Sequence, residues 1–318
     1  MKRVAVLDDY QGVAMDMTDW SPLDGRAEVT VFRDHIDSED ELRRRLRDFE
    51  VVVCMRERTA MPASVIEGLD KLELLVTTGP FNAVVDFDAA RSRGVVCSGT
   101  GGWLHNTAEL TWGLVLACAR NIPAEDSNVK NGGWMTTVGT DLFGSTLGLL
   151  GLGRLGGLVA TVGNAFGMNV VAWSQNLTAE RCAEVGATLV GKEELLRTAD
   201  IVSIHLVLSA RTRGLVGQQE LGWMKPSAIL VNTSRGPICD EAALARALES
   251  RQIRAAGLDA FEVEPLPAGH PFRRLDNVVT TPHLGYVTTA CYRIFFTHIV
   301  EDIVGFLDGT PVRVISGG

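Results

Sequence analysis

The chain has 318 residues, of which 46% are hydrophobic and 22% charged, a composition typical of a globular protein large enough for two domains. Its formal net charge of −9 argues against a nucleic-acid or anionic-membrane surface. Its six cysteines are scattered without a C-x-x-C pair, which favours reduced thiols over a disulfide framework or a zinc site. Since no uncharged apolar run reaches about 18 residues, we expect a cytoplasmic protein with neither a membrane nor a nucleic-acid partner.

The first hundred residues alternate short apolar strands with helix-like runs. The predicted strands are 4–7, 29–32, 51–54, 72–76 and 95–97, and the predicted helices are 39–49 and 62–69. This alternation predicts a parallel sheet covered by helices on both faces. Ligands of such sheets bind beyond the carboxyl ends of the strands, which directs attention to the loops 8–11, 55–59 and 77–82.

A glycine-rich hinge at 99–102 and a helix at 106–120 lead to a second alternating region. A glycine-rich loop is predicted at 130–144, strands at 146–150, 169–173, 188–190, 201–206, 228–232, 255–259 and 278–280, and helices at 192–197 and 241–249. A last helix, 288–307, is expected to return to the first lobe. The prediction is an α/β protein with two Rossmann-like, doubly wound parallel-sheet domains, one of 1–101 plus 287–318 and one of 102–286.

A glycine turn follows the first strand of the second domain. Residues 151–156 read GLGRLG, which gives Gly151, Gly153 and Gly156 the G-x-G-x-x-G spacing. These glycines permit a tight turn, close approach of backbone to a pyrophosphate, and close packing of the next helix. The helix N-terminus then offers free N–H groups to the phosphates. Because strands flank the motif and a helix follows it, it predicts a dinucleotide site rather than a plain glycine-rich turn.

The ribose end of that site departs from the usual pattern. An acid about 20 residues after the turn holds the ribose hydroxyls of NAD, whereas an arginine nearby accommodates the 2′-phosphate of NADP. Here Ser174 is followed by Gln175 and Asn176. The predicted cofactor is therefore NAD or NADP, with NAD favoured and the choice left open.

Three polar residues follow later strands of the same predicted sheet: Arg235, Glu264 and His283. Each has an ordinary alternative, as a surface arginine, a solvated acid or a structural histidine. Together they suit hydride transfer to a 2-keto acid. Arginine binds a carboxylate, histidine transfers a proton, and a neighbouring glutamate orients the histidine ring.

Several longer motifs point to a known family. They are the segment LHNTAELTWGLVLACAR that enters the helix at 106–120, GLGRLG at 151–156, HLVLSARTRGLVG at 205–217, NTSRG at 232–236, LDAFEVEPLP at 258–267 and TPHLGY at 281–286. In them the chain resembles the D-isomer-specific 2-hydroxyacid dehydrogenases of the phosphoglycerate dehydrogenase-like and glyoxylate/hydroxypyruvate reductase-like kind. The resemblance covers nearly the whole chain and implies a flavodoxin-like substrate-binding domain (1–101 plus 287–318) and a dinucleotide-binding domain (102–286). It implies an NAD(P)-dependent enzyme that acts on the CH–OH group of a small D-2-hydroxy acid. It also implies a homodimer, with its interface expected at 109–144, and no C-terminal regulatory domain.

The resemblance further implies roles for single residues. Arg235, Glu264 and His283 look like the catalytic triad, with Arg235 also binding the substrate carboxylate. Cofactor contacts are implied for Gly151, Gly153, Arg154, Leu155, Gly156, Ser174, His205, Thr212, Thr233, Asp259 and Gly285. Among these, Asp259 and the backbone of Thr233 would hold the nicotinamide carboxamide. The backbone N–H groups of Thr78 and Gly79 would bind the substrate carboxylate.

Two departures from the family pattern qualify this prediction. Val207 replaces a proline that is common after His-Leu, near the adenine. Pro80 lacks a backbone N–H, which leaves Thr78 and Gly79 as the donors of the carboxylate loop.

Arg56 and Arg58 are candidates for a second cation that would bind a dianionic substrate, and surface solvation is their alternative role.

Other functions of the same fold stay open at this point. One is a non-catalytic, NAD(H)-sensing binding protein or co-regulator, and another is a formate or phosphite dehydrogenase. A histidine beside a glutamate suits proton transfer to a carbonyl better than formate oxidation, which needs no such transfer. The side chain of the 2-keto acid, the physiological direction and any assembly beyond a dimer are left open.

Overall fold

The structure is a computed structural model that describes residues 1–316. The chain divides into two compact units: unit 1 comprises Met1–Trp103 and Thr288–Gly318, and unit 2 comprises Leu104–Val287. In chain order the elements are β1 (Lys2–Val6), β2 (Ala27–Val31), α1 (Glu39–Leu46), β3 (Val51–Cys54), α2 (Ala63–Ile66), β4 (Leu74–Thr77), α3 (Phe87–Ser92), β5 (Val96–Gly99), α4 (His105–Arg120), α5 (Ile122–Lys130), β6 (Thr146–Leu150), α6 (Arg154–Ala165), β7 (Asn169–Trp173), α7 (Ala179–Ala183), β8 (Thr188–Leu189), α8 (Lys192–Thr198), β9 (Ile201–Ile204), α9 (Gln218–Trp223), β10 (Ile229–Asn232), α10 (Glu241–Glu249), β11 (Ala255–Leu258), β12 (Val278–Thr280) and α11 (Thr289–Leu307).

Unit 1 is built on a five-stranded sheet in the order β2-β1-β3-β4-β5. Every neighbouring pair is parallel, and the sheet has the strand order of flavodoxin-like folds. The central strands β3 and β4 are buried along their whole length, as expected of strands covered by helices on both faces. The predicted flavodoxin-like fold is confirmed.

Helix α11 belongs to unit 1. Thr288 caps it by accepting a hydrogen bond from the N–H of Cys291 at 3.3 Å. Its buried face includes Phe296, which is fully buried and whose ring centroid lies 6.2 Å from that of Trp20. Aromatic burial of this kind fixes the last helix on the unit formed by the first hundred residues.

Unit 2 contains a seven-stranded parallel sheet in the order β12-β11-β10-β9-β6-β7-β8. This is the doubly wound order of dinucleotide-binding folds, in which the strand order reverses between β6 and β9. The register aligns the last residues of β6, β9, β10 and β11, since Leu150 pairs with Ile204, Ile204 with Asn232, and Asn232 with Leu258. The loops that follow these strands therefore begin side by side at one edge of the sheet.

The region between α4 and β6 agrees with the prediction only in part: the loop was predicted and the helix before it was not. Helix α5 was not predicted, and the segment 131–145 after it contains no helix or strand. Trp112, which lies within the expected interface segment 109–144, is only 6% exposed, and its ring centroid lies 5.0 Å from that of Phe166. Among the described residues, no helix is both long and apolar enough to span a bilayer.

Candidate active site

The glycine turn between β6 and α6 has the geometry that the motif predicts. Gly151 lies at φ +101°, and a Cβ added there would approach the His205 carbonyl oxygen to 2.7 Å. A Cβ on Gly156 would approach the Gly151 oxygen to 2.3 Å, so the start of α6 packs directly on the turn. Gly153 is extended and caps α6 without a side chain. The first turn of α6 therefore presents backbone N–H groups suited to an anion.

His205 begins the loop after β9, beneath this turn. One ring nitrogen, Nε2, lies 2.9 Å from the Ser203 hydroxyl, while Nδ1 is buried with no partner in the described part of the chain. Burial lowers the pKa of His205 to about 4, so the ring is neutral at physiological pH. A buried polar atom without a partner is costly, and a ligand bound over the turn would be a natural partner.

The end of β7 places Ser174 next to the same turn. The Trp173 carbonyl accepts a hydrogen bond from the Gly151 N–H at 2.8 Å, so Ser174 follows directly at the ribose end of the predicted site. No acidic residue follows until Glu180, in the first turn of α7. Thr212 instead closes its own loop, because its hydroxyl donates to the Val207 carbonyl at 2.7 Å and accepts from the Ser209 N–H at 2.8 Å.

The loop after β10 carries Arg235. Its Nη1 donates to the Ser234 carbonyl at 2.8 Å. The next residue has to be glycine, because a Cβ on Gly236 would lie 2.1 Å from the Phe261 carbonyl carbon. The arginine loop is thereby pressed against the segment after β11, the segment that contains Glu264.

Glu264 and His283 form a hydrogen-bonded pair. The Nδ1–H of His283 donates to Glu264 Oε2 at 2.7 Å, and Glu264 Oε1 accepts the Phe261 N–H at 2.8 Å. His283 lies at φ +55°, a left-handed conformation that is uncommon for a residue with a Cβ. Its ring meets Tyr286 edge to face at 5.5 Å. With Nδ1 committed to the carboxylate, Nε2 is the ring nitrogen left for another partner.

Asp259 holds the loop that carries His283. The carboxylate is 1% exposed and accepts three hydrogen bonds, from the Thr281 hydroxyl at 2.6 Å, the Leu284 N–H at 2.7 Å and the Gly285 N–H at 2.8 Å. Burial raises the pKa of Asp259, and these hydrogen bonds oppose that shift. The hydrogen bonds of Asp259 are therefore made within the protein, to the loop that carries His283.

Two further predicted cofactor residues of unit 2, Thr233 and Gly285, are also hydrogen-bonded within the protein. The Thr233 hydroxyl lies 2.8 Å from the Thr111 hydroxyl, and the Gly285 carbonyl accepts a hydrogen bond from the Thr107 hydroxyl at 2.9 Å. Both contacts link the sheet edge to α4. They position the Thr233 side chain and the Gly285 backbone.

In unit 1 the predicted carboxylate loop differs from expectation. The Thr78 N–H donates to the Cys54 carbonyl at 3.0 Å, and the Gly79 N–H donates to the Thr100 hydroxyl at 2.8 Å. Both N–H groups were predicted to bind the substrate carboxylate, but in this structure each already has an acceptor within unit 1. Pro80 has no backbone N–H. The Phe81 N–H, by contrast, has no hydrogen-bond acceptor in residues 1–316.

Comparison with known proteins decides the family. Residues 112–285 match the family model described as D-isomer specific 2-hydroxyacid dehydrogenase, NAD binding domain. The chain belongs to this family. It is 39% identical over 279 residues to a D-3-phosphoglycerate dehydrogenase of Archaeoglobus fulgidus, an alignment that covers 87% of this chain and 53% of that protein. It is also 42% identical over 243 residues to a glyoxylate reductase of Aeropyrum pernix, with 73% and 72% covered.

Solved structures of the D-2-hydroxyacid dehydrogenase fold agree with this assignment. A phosphoglycerate oxidoreductase from Vibrio cholerae o395 superposes with a TM-score of 0.93 at 36% identity, over 97% of this chain and all of that one. The chain spans about half the length of several phosphoglycerate dehydrogenases that it matches, including 53% of the Archaeoglobus protein. The family membership covers both units and confirms the predicted resemblance.

The two arginines of the loop after β3, Arg56 and Arg58, make contacts within unit 1. Arg56 Nη1 donates to the Thr78 carbonyl at 3.1 Å and occupies the space where a Cβ on Gly79 would be. Arg58 donates to the Asp8 carbonyl at 2.5 Å and to the Tyr292 hydroxyl at 3.1 Å, and it stacks 4.7 Å over the ring of Tyr10. The alternative of plain surface solvation is therefore wrong for both side chains.

Proposed function

We propose that the protein is an NAD(P)-dependent D-2-hydroxyacid dehydrogenase that reduces a small 2-keto acid or oxidises the matching hydroxy acid. The observation that carries this proposal is the hydrogen bond between His283 Nδ1 and Glu264 Oε2 at 2.7 Å, beside the Arg235 loop at the carboxyl edge of unit 2. A histidine oriented by a carboxylate is suited to transfer a proton near neutral pH.

The residues of unit 2 fit a nicotinamide dinucleotide. The glycine turn with Arg154 and Leu155 would hold the pyrophosphate, and Ser174 would face the adenosine ribose. The cleft toward the nicotinamide would be lined by His205, Thr212, Thr233, Asp259 and Gly285. The unpartnered Nδ1 of His205 and the uncapped start of α6 are the features that support this fit. When bound, the nicotinamide supplies or accepts the hydride.

Each member of the triad then has one task. Arg235 binds the substrate carboxylate through its planar guanidinium fork. His283 Nε2 gives its proton to the keto oxygen during reduction and takes it from the hydroxyl during oxidation. Glu264 keeps the proton on Nδ1 and stabilises the charged ring. In unit 1, the free N–H of Phe81 is proposed as the backbone donor in place of those of Thr78 and Gly79.

Substitution of His283 tests the assignment. His283→Ala should lower kcat by about 10²- to 10⁴-fold, because the proton donor is lost, while the dissociation constant for NADH measured by fluorescence changes little. Glu264→Gln should give a smaller loss. Glu262→Gln is the matched control, since the Glu262 side chain is exposed two residues away. Turnover of His283→Ala within a few-fold of the unsubstituted protein would remove His283 as the proton carrier.

For the substrate we propose a small keto acid such as glyoxylate or hydroxypyruvate. Relatives named glyoxylate reductase and D-3-phosphoglycerate dehydrogenase both match the chain. The commitment of Arg56 and Arg58 to contacts within unit 1 favours a substrate without a phosphate. A panel of glyoxylate, hydroxypyruvate and phosphohydroxypyruvate, run with NADH and with NADPH, decides among them. The highest kcat/KM on phosphohydroxypyruvate would refute the proposal.

We also propose a homodimer formed through the segment 121–144. Its apolar side chains are mostly exposed, with Trp134 at 74%, Met135 at 77%, Val138 at 91% and Phe143 at 83%. A group of large exposed apolar side chains within one short segment is a feature of protein–protein interfaces. A second copy is the proposed occupant, and light scattering should give twice the 34.3 kDa chain mass. A monomer at micromolar concentration would refute it.

A further inference from the structure

The short segment after β11 is held by two glutamates at consecutive backbone N–H groups. The Phe261 N–H donates to Glu264 Oε1 at 2.8 Å, and the Glu262 N–H donates to Glu241 Oε1 at 2.5 Å. Glu264 is the partner of His283, whereas Glu241 is the first residue of α10. The two peptide units on either side of Phe261 are therefore each held by a glutamate, and the Phe261–Glu262 peptide is the one held by Glu241.

Glu241 is itself paired with a histidine. Its Oε2 lies 3.3 Å from His270 Nε2, and the two side chains are 11% and 19% exposed. His270 Nδ1 accepts the Phe272 N–H at 3.3 Å, which leaves the ring proton on Nε2 and directs it to Glu241. The ring also packs 4.7 Å from that of Phe272. His270 thus presents its N–H to Glu241 in a defined orientation.

The cap of α10 does not explain this arrangement. Asp240 is the N-cap, and its carboxylate accepts the Ala243 N–H at 2.9 Å. Glu241 instead reaches out of the helix to the loop and to His270. Burial raises the pKa of Glu241, and the bonds from Glu262 and His270 counter that shift. A carboxylate taken out of water for these contacts indicates a role in holding the loop.

The Arg235 loop rests on the same peptide. A Cβ on Gly236 would lie 2.1 Å from the Phe261 carbonyl carbon and 2.4 Å from the Glu262 nitrogen. The loop is otherwise open to solvent, since the next side chain, Val263, is 59% exposed. A shift of this one peptide would therefore move the Glu264 carboxylate and the support of Arg235 together.

We propose that Glu241 and His270 are positioning residues that hold the Phe261–Glu262 peptide and thereby keep the Glu264 carboxylate aimed at His283. The inference rests on the proposed function for its kinetic consequence. The hydrogen bond between Glu264 and His283 is a property of the folded chain. It can be measured whether or not the protein turns over a keto acid.

Kinetics give the first test. Glu241→Ala should lower kcat by about 10- to 100-fold, because a displacement near 1 Å at the reacting group costs about that much. The dissociation constant for NADH should stay within about twofold, since the glycine turn is untouched. Glu241→Gln retains an oxygen for the Glu262 N–H and should recover most of kcat. Glu249→Ala, on the exposed last residue of α10, is the matched control.

A spectroscopic test separates positioning from general destabilisation. In protein labelled with [15N]histidine and measured without cofactor, the His283 Nδ1–H donated to Glu264 should give a downfield proton resonance. Glu264→Gln identifies that resonance by shifting or removing it. Glu241→Ala and His270→Gln should broaden or shift it, while Glu249→Ala leaves it in place. His270→Gln supplies the same comparison if Glu241→Ala does not fold.

The outcomes separate the two proposals. An unaltered resonance in a folded Glu241→Ala or His270→Gln protein would overturn the positioning role, and so would unchanged kcat. Lack of turnover by the unsubstituted protein on every keto acid would refute the proposed function alone. The comparison of resonances would then still decide whether Glu241 and His270 hold the loop.

Discussion

The loop that carries His283 and the loop 78–82 both follow sheet strands, yet they use their backbone N–H groups differently. In unit 2, Asp259 collects the N–H groups of Leu284 and Gly285, which turns the His283 side chain toward Glu264. In unit 1, the N–H groups of Thr78 and Gly79, which were predicted to bind a substrate, donate to the Cys54 carbonyl and the Thr100 hydroxyl. A sequence motif therefore predicts which side chains lie at the end of a sheet better than it predicts which backbone N–H groups stay free.

Removal of the Asp259 carboxylate, which anchors the loop of unit 2, should have the largest effect on activity and stability. Asp259→Ala leaves two loop N–H groups and the Thr281 hydroxyl without their acceptor, so the His283 loop loses its anchor. We expect kcat/KM to fall by about 100-fold and the free energy of unfolding by about 2 to 4 kcal/mol. Steady-state kinetics and urea unfolding measure the two losses. Unchanged stability would show that the loop is anchored elsewhere.

Much of the fold was predictable because its signals are local. Apolar runs such as 51–54 and the turn at 151–156 place strands and the phosphate-facing helix from short windows of sequence, and the triad residues follow strand ends. The partner of Gly79 was not predictable, because Thr100 lies 21 residues further along the chain. The same holds for His270, which carries no signal until the fold brings it to Glu241. Long-range partners of this kind depend on packing rather than on pattern.

Asp302 in unit 1 contrasts with Asp259, because its buried carboxylate is only partly hydrogen-bonded. Oδ1 accepts Arg313 Nε at 3.0 Å, whereas Oδ2 is buried without a partner in residues 1–316. Burial raises the pKa of Asp302 to about 7, against the opposing attraction of Arg313. The folded state thus binds this proton more tightly than the unfolded state does. Its stabilising contribution is complete below about pH 4 and is lost as the pH rises to about 7.

Asp302→Asn should therefore flatten the pH dependence of stability. Between pH 5 and pH 8 the free energy of unfolding of the unsubstituted protein should fall relative to that of the variant, on the order of 2 kcal/mol. Denaturant unfolding at several pH values measures the difference. Glu301→Gln, which alters the more exposed partner of Arg313, is the control and should leave the slope largely unchanged. Parallel curves for Asp302→Asn and the unsubstituted protein would contradict the assignment.

At the ribose end of unit 2, Ser174→Asp tests whether a side chain at this edge faces a ligand. An added carboxylate would accept hydrogen bonds from the ribose hydroxyls of NADH and repel the 2′-phosphate of NADPH. We expect the ratio of the NADPH and NADH dissociation constants to rise about tenfold or more. Asn176→Asp adds the same charge two residues away and should change the ratio less. An unchanged ratio for Ser174→Asp would move the ribose contact to another residue.

The smallest effect is expected when the hydrogen bond of the Gly79 N–H within unit 1 is removed. Thr100→Val removes the acceptor of the Gly79 N–H while keeping the shape of the side chain, which is 2% exposed. The free energy of unfolding should fall by about 1 to 2 kcal/mol, because a buried N–H is left without a partner. The KM for the keto acid should stay within about twofold. Thr100→Ser keeps the hydroxyl and should behave like the unsubstituted protein. A several-fold change of KM in Thr100→Val but not in Thr100→Ser would show that the Gly79 N–H contacts the substrate. The loop 78–82 would then serve the substrate directly, as the loop that carries His283 is proposed to do.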